Sequence, residues 1–188
     1  MSVRSPLLRA LGVLGVIVLV GCGTPSTPTP APRSNATATA NPTATTPTVV
    51  VGAVPRVDSV LEAVKGKWVL VNVWATWCRP CVVETPDLVA LHQSLRDKPF
   101  ALVGISADFM TSPTEAEAVK KVRSFAEMHR MAYPNIIFSG STDDLTARFQ
   151  LSGTIPASIL YNPKGEEVER WIGRLAESDF ERIRSLVS

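Results

Sequence analysis

The residues of this chain best suited to chemistry are Cys78 and Cys81, which enclose Arg79 and Pro80. A spacing of three residues places two side chains on one face of a helix, so the two sulfurs can meet. Such a pair can carry out thiol–disulfide exchange, in which one thiolate attacks a disulfide and the second thiol resolves the mixed disulfide. We predict that Cys78 is exposed and attacks, and that Cys81 is more buried and resolves.

Two other roles would use the same spacing. A zinc site needs two further ligands, and the two histidines, His92 and His129, do not stand in a paired spacing. We place both histidines on exposed helix faces and predict no metal site. A purely structural disulfide would constrain little of the unfolded chain, because the loop that it closes is so short. The pattern therefore favours a redox-active pair.

A strand and a helix must position this pair. The β-branched and aromatic run Trp68–Trp74 predicts a buried strand, and a helix should follow from about Arg79 to Arg96. Cys78 then lies at a helix N-terminus, where backbone N–H groups and the helix dipole stabilise a thiolate. The neighbouring Arg79 adds a positive charge. Pro80 suits the first helical turn, because its missing N–H would have no intrahelical partner there.

The rest of the sequence alternates between strand and helix patterns. The predicted elements, in chain order, are a peripheral strand over 49–51, a short helix over 57–64, a strand over 100–105, a helix from Ser112 as its cap to about Met131, a short helix over 143–149, a hairpin of strands over 157–161 and 166–171, and a helix over 177–187. This order predicts an α/β domain with parallel strands, right-handed crossovers and an added antiparallel hairpin. Helices should cover both faces of the sheet.

The first residues have the pattern of an export signal. Arg4 and Arg9 precede an apolar run over 10–20, which is shorter than the roughly 20 residues of a comfortable membrane span. The boundary reads LVGC, ending at Cys22. It resembles the lipoprotein box of bacteria, which implies cleavage before Cys22 and lipid on that residue. We therefore predict a lipoprotein signal peptide at 1–21 and a lipid anchor that holds the chain to a membrane in the cell envelope, outside the cytoplasm.

Residues 22–48 form a predicted linker between this anchor and a domain. After Cys22 the stretch is rich in Thr, Pro and Ala and has no apolar periodicity, so we predict that it is disordered. Residues 49–188 then form one domain of ordinary size. Removal of Arg4 and Arg9 from the 19 Lys and Arg leaves 17, which equals the number of Asp and Glu. This neutral balance argues against nucleic acid as a partner.

The stretch from Val71 to Cys81, VNVWATWCRPC, strongly resembles the thioredoxin-like superfamily and, within it, the TlpA/ResA branch of envelope thiol–disulfide oxidoreductases. The resemblance covers most of residues 57–188. It implies a thioredoxin-like fold, in which a central mixed β-sheet is flanked by helices on both faces. The short segment 55–67 and Ile155 are nearer to thioredoxin itself, whereas 106–117 resembles an insertion of the envelope branch.

The resemblance also implies roles for residues outside the pair. Glu84, one helical turn beyond Cys81, is expected to have a raised pKa if partly buried and to accept the proton of the Cys81 thiol. Thr154, Ile155 and Pro156 match the loop that carries a cis proline in the superfamily. We expect this loop to bind an extended substrate beside the cysteines.

Two residues ahead of the pair complete the expected site. Asn72 stands where thioredoxins have a buried Asp near the resolving cysteine. Trp77 should supply apolar surface around Cys78, whereas Trp74 is expected in the core.

Together these features predict an extracytoplasmic thiol–disulfide oxidoreductase with protein thiols and disulfides as its substrates. The resemblance favours reduction, and it suggests apocytochrome c during cytochrome c maturation as a substrate class. The alternatives are a general envelope oxidase or reductase and, from another class, a metal or haem chaperone module. Because the chain has no nicotinamide or flavin motif, we expect no bound cofactor and a membrane electron donor that recycles the pair. We also expect a monomer.

Overall fold

The structure is a computed structural model that describes residues 47–188. The predicted signal peptide, Cys22 and nearly all of the predicted linker lie outside the described residues, so these remain predictions. No helix within residues 47–188 has both the length and the apolar character that crossing a membrane requires.

Strands and helices alternate along the described part of the chain. The strands are β1 (Val49–Gly52), β2 (Trp68–Trp74), β3 (Phe100–Ser106), β4 (Asn135–Phe138), β5 (Ala157–Tyr161) and β6 (Glu167–Ile172). The helices are α1 (Val54–Ala63), α2 (Arg79–Ser94), α3 (Glu115–Met128), α4 (Thr142–Phe149) and α5 (Glu177–Val187), and a short 3₁₀ helix (Asp108–Thr111) follows β3. Most predicted elements are present within a few residues of their expected bounds.

The six strands form one sheet in the order β1-β4-β3-β2-β5-β6. Neighbouring strands from β1 to β2 are parallel, and β5 and β6 add antiparallel pairs. Val71, in the middle of β2, lies opposite Val103 of β3 on one side and opposite Ile159 of β5 on the other. The predicted mixed sheet is therefore confirmed, and β2, which leads to the cysteines, lies inside it.

The core lies on both faces of this sheet. Every residue of β2 from Val69 to Trp74 is buried. Because successive side chains of a strand point to opposite faces, this pattern requires cover on both faces. The predicted helices on both faces are thus confirmed, and the strand that carries the cysteines is rigidly enclosed.

A hydrogen bond across three strands fixes the end of β2. Trp74 is buried, and its Nε1 donates to Oδ1 of Asn135 on β4 at 3.2 Å. Gly104 of β3 lies between the two residues, and a Cβ at that position would stand 2.2 Å from the Asn135 oxygen. Only glycine therefore fits between Trp74 and Asn135.

The local structure departs from the sequence-based expectations at three points. No strand was predicted at Asn135–Phe138, yet β4 pairs with both β1 and β3. Ser112 does not cap α3; it ends the 3₁₀ helix, and the Oγ1 of Thr114 caps α3 by accepting the N–H of Glu117 at 3.2 Å. Helix α3 also ends at Met128, earlier than predicted.

Candidate active site

The cysteine pair lies where β2 ends and α2 begins. Cys78 and Cys81 form a disulfide with an S–S distance of 2.08 Å. Cys78 is the N-cap residue of α2, and its Sγ accepts a hydrogen bond from the backbone N–H of Cys81 at 3.3 Å. The first N–H groups of a helix have no intrahelical acceptor, so this sulfur stands where a cap oxygen usually does. The same N–H would stabilise a thiolate on Cys78 in the reduced pair.

Both cysteines are buried in this disulfide form, with 5% of Cys78 and 1% of Cys81 exposed. The prediction of an exposed Cys78 is therefore wrong for this state. Its Sγ lies 3.7 Å from the carbonyl oxygen of Ile155 and also caps α2, so it is enclosed from two sides. Cys81 is the more buried of the two, but the attacking and resolving roles remain predictions.

The loop of Thr154, Ile155 and Pro156 lies against the pair. The Ile155–Pro156 peptide bond is cis, as the family resemblance implied. Thr154 is exposed, Ile155 is half-buried and Pro156 is buried. The carbonyl oxygen of Pro156 accepts the N–H of Gly173 at 2.8 Å, which ties the loop to the end of β6. The carbonyl of Ile155 is thus held next to the sulfur of Cys78.

Exposed residues surround the pair on its solvent side. Trp77 is 54% exposed, and Arg79 and Pro80 are exposed as well. Val83, on the next turn of α2, is a further exposed apolar residue. The region around Cys78 therefore combines apolar surface with the positive charge of Arg79, which suits contact with a polypeptide substrate.

Glu84 is fully buried, at 0% exposed, one helical turn beyond Cys81. Its Oε1 accepts the N–H of Leu175 at 2.6 Å, and its Oε2 accepts Nδ2 of Asn72 at 3.1 Å. Burial raises the pKa of the carboxyl to about 7, although both hydrogen bonds and the charge of Arg174 act to lower it. A carboxyl that titrates near neutral pH can accept or release a proton during turnover.

Asn72 links this carboxyl to the sheet. Its Nδ2 also donates to the Oγ of Ser158 at 3.0 Å, and the two residues lie opposite each other in the β2–β5 pair. Asn72 thereby holds Glu84 at a fixed place behind the disulfide. Ser158 was not singled out in the sequence, although a serine inside the apolar strand Ala157–Tyr161 is a signal of a buried polar contact.

A second buried carboxylate lies at the loop that precedes the pair. Asp108 is 0% exposed. Its Oδ2 accepts the backbone N–H of Thr76 at 3.0 Å and the Oγ–H of Ser106 at 2.7 Å, and its Oδ1 accepts the hydroxyl of Thr76. Asp108 was not among the site residues predicted from the sequence. The available signal was its position just after β3, whose carboxyl end meets that of β2 in a parallel pair.

The two histidines do not lie on fully exposed helix faces, so that prediction was wrong. His92 packs edge-on against Tyr133 at a ring-centroid distance of 5.5 Å, and burial lowers its pKa. His129 packs against Phe125 at 4.1 Å. Within residues 47–188 no three or more His, Cys, Asp and Glu residues come together in a way that could hold a metal ion.

The described site therefore brings together three chemical functions. A cysteine pair lies at a helix N-terminus, a titrating carboxyl stands one turn behind it, and a fixed backbone carbonyl lies beside the outer sulfur. This combination suits two-electron exchange between dithiols and disulfides.

Comparison with known proteins agrees with this chemistry. The model of the AhpC/TSA family matches residues 53–168, which is more than half of the chain. A thiol-disulfide oxidoreductase ResA of Bacillus cereus is 27% identical over 166 residues, which cover 88% of this chain and 90% of that protein. The thioredoxin-like protein YneN of Bacillus subtilis (strain 168) is 31% identical over 124 residues, which cover 66% and 67% of the two chains.

Solved structures give the same fold. A thiol:disulfide interchange protein of the thioredoxin family from Chlorobium tepidum TLS is 27% identical, with a TM-score of 0.54 over 67% of this chain and 83% of that one. The thioredoxin domain of a thiol-disulfide oxidoreductase from Bacteroides vulgatus, 23% identical, has a TM-score of 0.54 over 68% and 84% of the two chains. The second likeness shows the fold alone, which is thioredoxin-like.

Proposed function

The chain belongs to the AhpC/TSA family and is a thiol–disulfide oxidoreductase, and from that premise we propose that it reduces protein disulfides outside the cytoplasm. The resemblance to the TlpA/ResA branch favours the reducing direction, and the observation that supports the exchange chemistry is the buried carboxyl of Glu84, with a pKa of about 7, one turn beyond Cys81. A reductase must remove a proton from its resolving thiol in every turnover. A carboxyl that titrates near neutral pH is suited to that step.

The proposed cycle starts from the reduced pair. The thiolate of Cys78 attacks one sulfur of a substrate disulfide, a bond forms between these two sulfurs, and the other substrate sulfur leaves as a thiolate. Glu84 then takes the proton of the Cys81 thiol. The Cys81 sulfur attacks Cys78 Sγ and releases the second substrate thiolate.

The electrons and protons of this cycle balance. The substrate gains two electrons, and the protein is left with the Cys78–Cys81 disulfide that the structure contains. The two substrate thiolates take up two protons, one of them by way of Glu84 and the other from the solvent. An external dithiol donor must then return two electrons to the pair, and we assign that task to a membrane protein.

The substrate is proposed to bind along the Thr154–Ile155 edge. The Ile155 carbonyl stands 3.7 Å from Cys78 Sγ, and Thr154 is exposed, so an extended peptide can pair there by strand addition. The exposed side chains of Trp77 and Val83 offer apolar contacts to residues that flank a substrate cysteine. Recognition of backbone and apolar surface suits a protein substrate that is partly unfolded.

The proposal also specifies where the protein is located and which class of substrate it reduces. Anchoring rests on the predicted lipid at Cys22, which would hold the domain on the outer side of a membrane. The substrate class is apocytochrome c, whose paired haem-binding cysteines must be reduced before haem is attached. The resemblance to the TlpA/ResA branch of envelope oxidoreductases supports both parts, and the relatives named thiol-disulfide oxidoreductase ResA support the exchange chemistry.

Substrate trapping tests the proposal. In cells that express Cys81→Ser, the mixed disulfide at Cys78 cannot resolve, so substrates should remain attached to the chain. Cys78→Ser is the matched control and should trap nothing. Apocytochromes of the c type among the trapped proteins support the proposed substrate class, and their absence from the trapped set rejects it.

The direction of electron flow and the attachment to a membrane are tested by separate measurements. Equilibration of the full chain with glutathione buffers should leave the pair oxidised at ratios where glutathione is mostly reduced, as expected of a strong reductant. A pair that is mostly dithiol under those buffers would reject the reductase direction. For the anchor, Cys22→Ala should move the protein from the detergent-rich phase to the aqueous phase, and no change would reject lipidation.

A further inference from the structure

The buried carboxylate of Asp108 is built into the loop that presents Cys78. Asp108 begins the 3₁₀ helix after β3, and all of its surface is buried. Both of its oxygens reach across to Thr76, which lies two residues before Cys78. The carboxylate therefore joins the carboxyl ends of two neighbouring strands directly ahead of the reactive sulfur.

The backbone reinforces this link on both sides. The N–H of Ala107 donates to the carbonyl of Trp74 at 2.9 Å, and the N–H of Cys78 donates to the carbonyl of Ala75 at 3.2 Å. Thr76 lies between these two bonds and has its own N–H and hydroxyl fixed by Asp108. The position of Cys78 thus depends on the loop on one side and on the start of α2 on the other.

The hydrogen bonds at the two Asp108 oxygens all come from neighbouring donors. Every group bound to its oxygens is a donor: the N–H of Thr76, the hydroxyl of Thr76 and the hydroxyl of Ser106. Ser106 Oγ accepts the N–H of Asp108 itself at 3.1 Å, so its own hydrogen points to the carboxylate. An ionised carboxylate is an acceptor only, and this set of three donors matches it.

No cation neutralises this charge within the described chain. None of the ion pairs among residues 47–188 involves Asp108. A buried charge without a counterion acts over a longer range than a solvated one, because the surrounding protein screens it weakly.

We propose that Asp108 is a positioning residue for thiol–disulfide exchange, which fixes the loop ahead of Cys78 and whose negative charge opposes formation of the Cys78 thiolate. A less stable thiolate makes the dithiol form a stronger reductant, since the reduced state of the pair is then less favoured. Arg79 next to Cys78 acts in the opposite sense, and the neighbouring Glu84 adds negative charge only when it is ionised. Asp108 therefore sets the redox balance of the pair from outside the Cys-X-X-Cys segment.

This inference rests on the exchange chemistry of the pair and not on the direction proposed above. A wild-type potential above that of glutathione would reject the reductase direction and leave the role of Asp108 intact. A lack of effect of Asp108 on the potential would reject the present inference and leave the direction intact.

The test compares two variants of the full chain in detergent. Asp108→Asn removes the charge and keeps the size, so the dithiol-to-disulfide equilibrium with glutathione should shift about tenfold toward the dithiol, or about 30 mV. Thr76→Val removes one donor and leaves the charge less compensated, so the same equilibrium should shift about twofold toward the disulfide. The rate of Cys78 alkylation by iodoacetamide at neutral pH should rise in the first variant and fall in the second.

Opposite signs are the distinguishing result. If Asp108 only held the loop in place, the dithiol-to-disulfide equilibrium would shift in the same direction in both variants, and that outcome rejects the proposal. An unchanged equilibrium in Asp108→Asn rejects it as well. If circular dichroism shows that Asp108→Asn does not fold, Thr76→Val decides alone. A shift toward the disulfide supports the proposal, and no shift or a shift toward the dithiol rejects it.

Discussion

The cysteine pair has a fully buried carboxyl group on each side of it, and the two groups are held differently. Behind the pair, Glu84 of α2 accepts two hydrogen bonds and its pKa is raised to about 7. Ahead of the pair, Asp108 accepts three hydrogen bonds, two of them from Thr76. The difference teaches that burial alone does not assign a carboxyl its role. Glu84, with its pKa of about 7, can exchange a proton, whereas Asp108 fixes the loop ahead of Cys78 through its three donors.

The largest expected effect on turnover comes from substitution of the two cysteines, Cys78 on the side of Asp108 and Cys81 on the side of Glu84. Cys78→Ser should reduce turnover of a disulfide substrate to the uncatalysed background and form no mixed disulfide, because the attacking sulfur is lost. Cys81→Ser should lose turnover equally but retain the first attack, seen as a covalent adduct by mass spectrometry. A Cys81→Ser variant that still turns over a disulfide substrate would contradict the assignment of Cys81 as the resolving cysteine.

Stability should distinguish the two carboxyl groups next. Asp108→Ala leaves three donors without their acceptor and should lower the free energy of unfolding by about 4 kcal/mol, measured by urea denaturation. Asp144 is the matched control, because it also binds a serine, Ser141, yet is exposed. Asp144→Ala should lower the free energy of unfolding by much less, because solvent can replace the lost contacts. Equal losses would show that Asp108 is not a structural anchor of the loop.

The pH dependence of the free energy of unfolding tests the raised pKa of Glu84. Because the folded pKa of Glu84 lies above its unfolded value, its contribution is complete below about pH 4.5 and is lost as pH rises through about 7. Relative to Glu84→Gln, the wild-type oxidised chain should therefore lose about 2 to 3 kcal/mol of unfolding free energy between pH 5 and pH 8. Parallel pH profiles for the two proteins would contradict the raised pKa.

The smallest expected effect concerns the support of Glu84. Ser158→Ala removes one of the two partners of Asn72 Nδ2 and should lower the free energy of unfolding by about 1 kcal/mol. Because Asn72 is then held less firmly, the pKa of Glu84 should rise further, which would appear as a shift of the pH–rate profile of the resolving step to higher pH. A profile shifted to lower pH would show that Asn72 does not stabilise the Glu84 carboxylate.

Local patterns carried the prediction of the cysteine segment. The apolar run of β2 and the residues at the start of α2 each specify their own structure, so strand, helix and pair were placed almost to the residue. Glu84 was singled out by the family resemblance, and its raised pKa was expected on the condition that the residue is partly buried, which the structure meets. The peptide before Pro156 was expected to be cis only from the family resemblance, since spacing alone gives no such signal.

Features that depend on packing between distant segments could not be predicted. Strand β4 has only four residues, too few for a periodic signal, and its place in the sheet depends on pairing with β1 and β3. The burial of Cys78 depends on the approach of Ile155, which is 77 positions away in the chain. The partnership of Asp108 and Thr76 required knowledge that β3 lies beside β2. The N-cap of α3 was assigned to Ser112 instead of Thr114 because each of these residues stands three positions before a Glu, which is the spacing of a helix cap.

The entry of the chain into the domain has a mechanical consequence. Strand β1 is the first element of the described chain, it lies at the edge of the sheet, and it is paired only with β4, over four residues. Tension applied through residues that precede Val49 would load this short edge pairing first. The cysteines follow β2, which is three strands further into the sheet. Under such tension the β1–β4 pairing would therefore separate before the force reaches the segment that carries the disulfide.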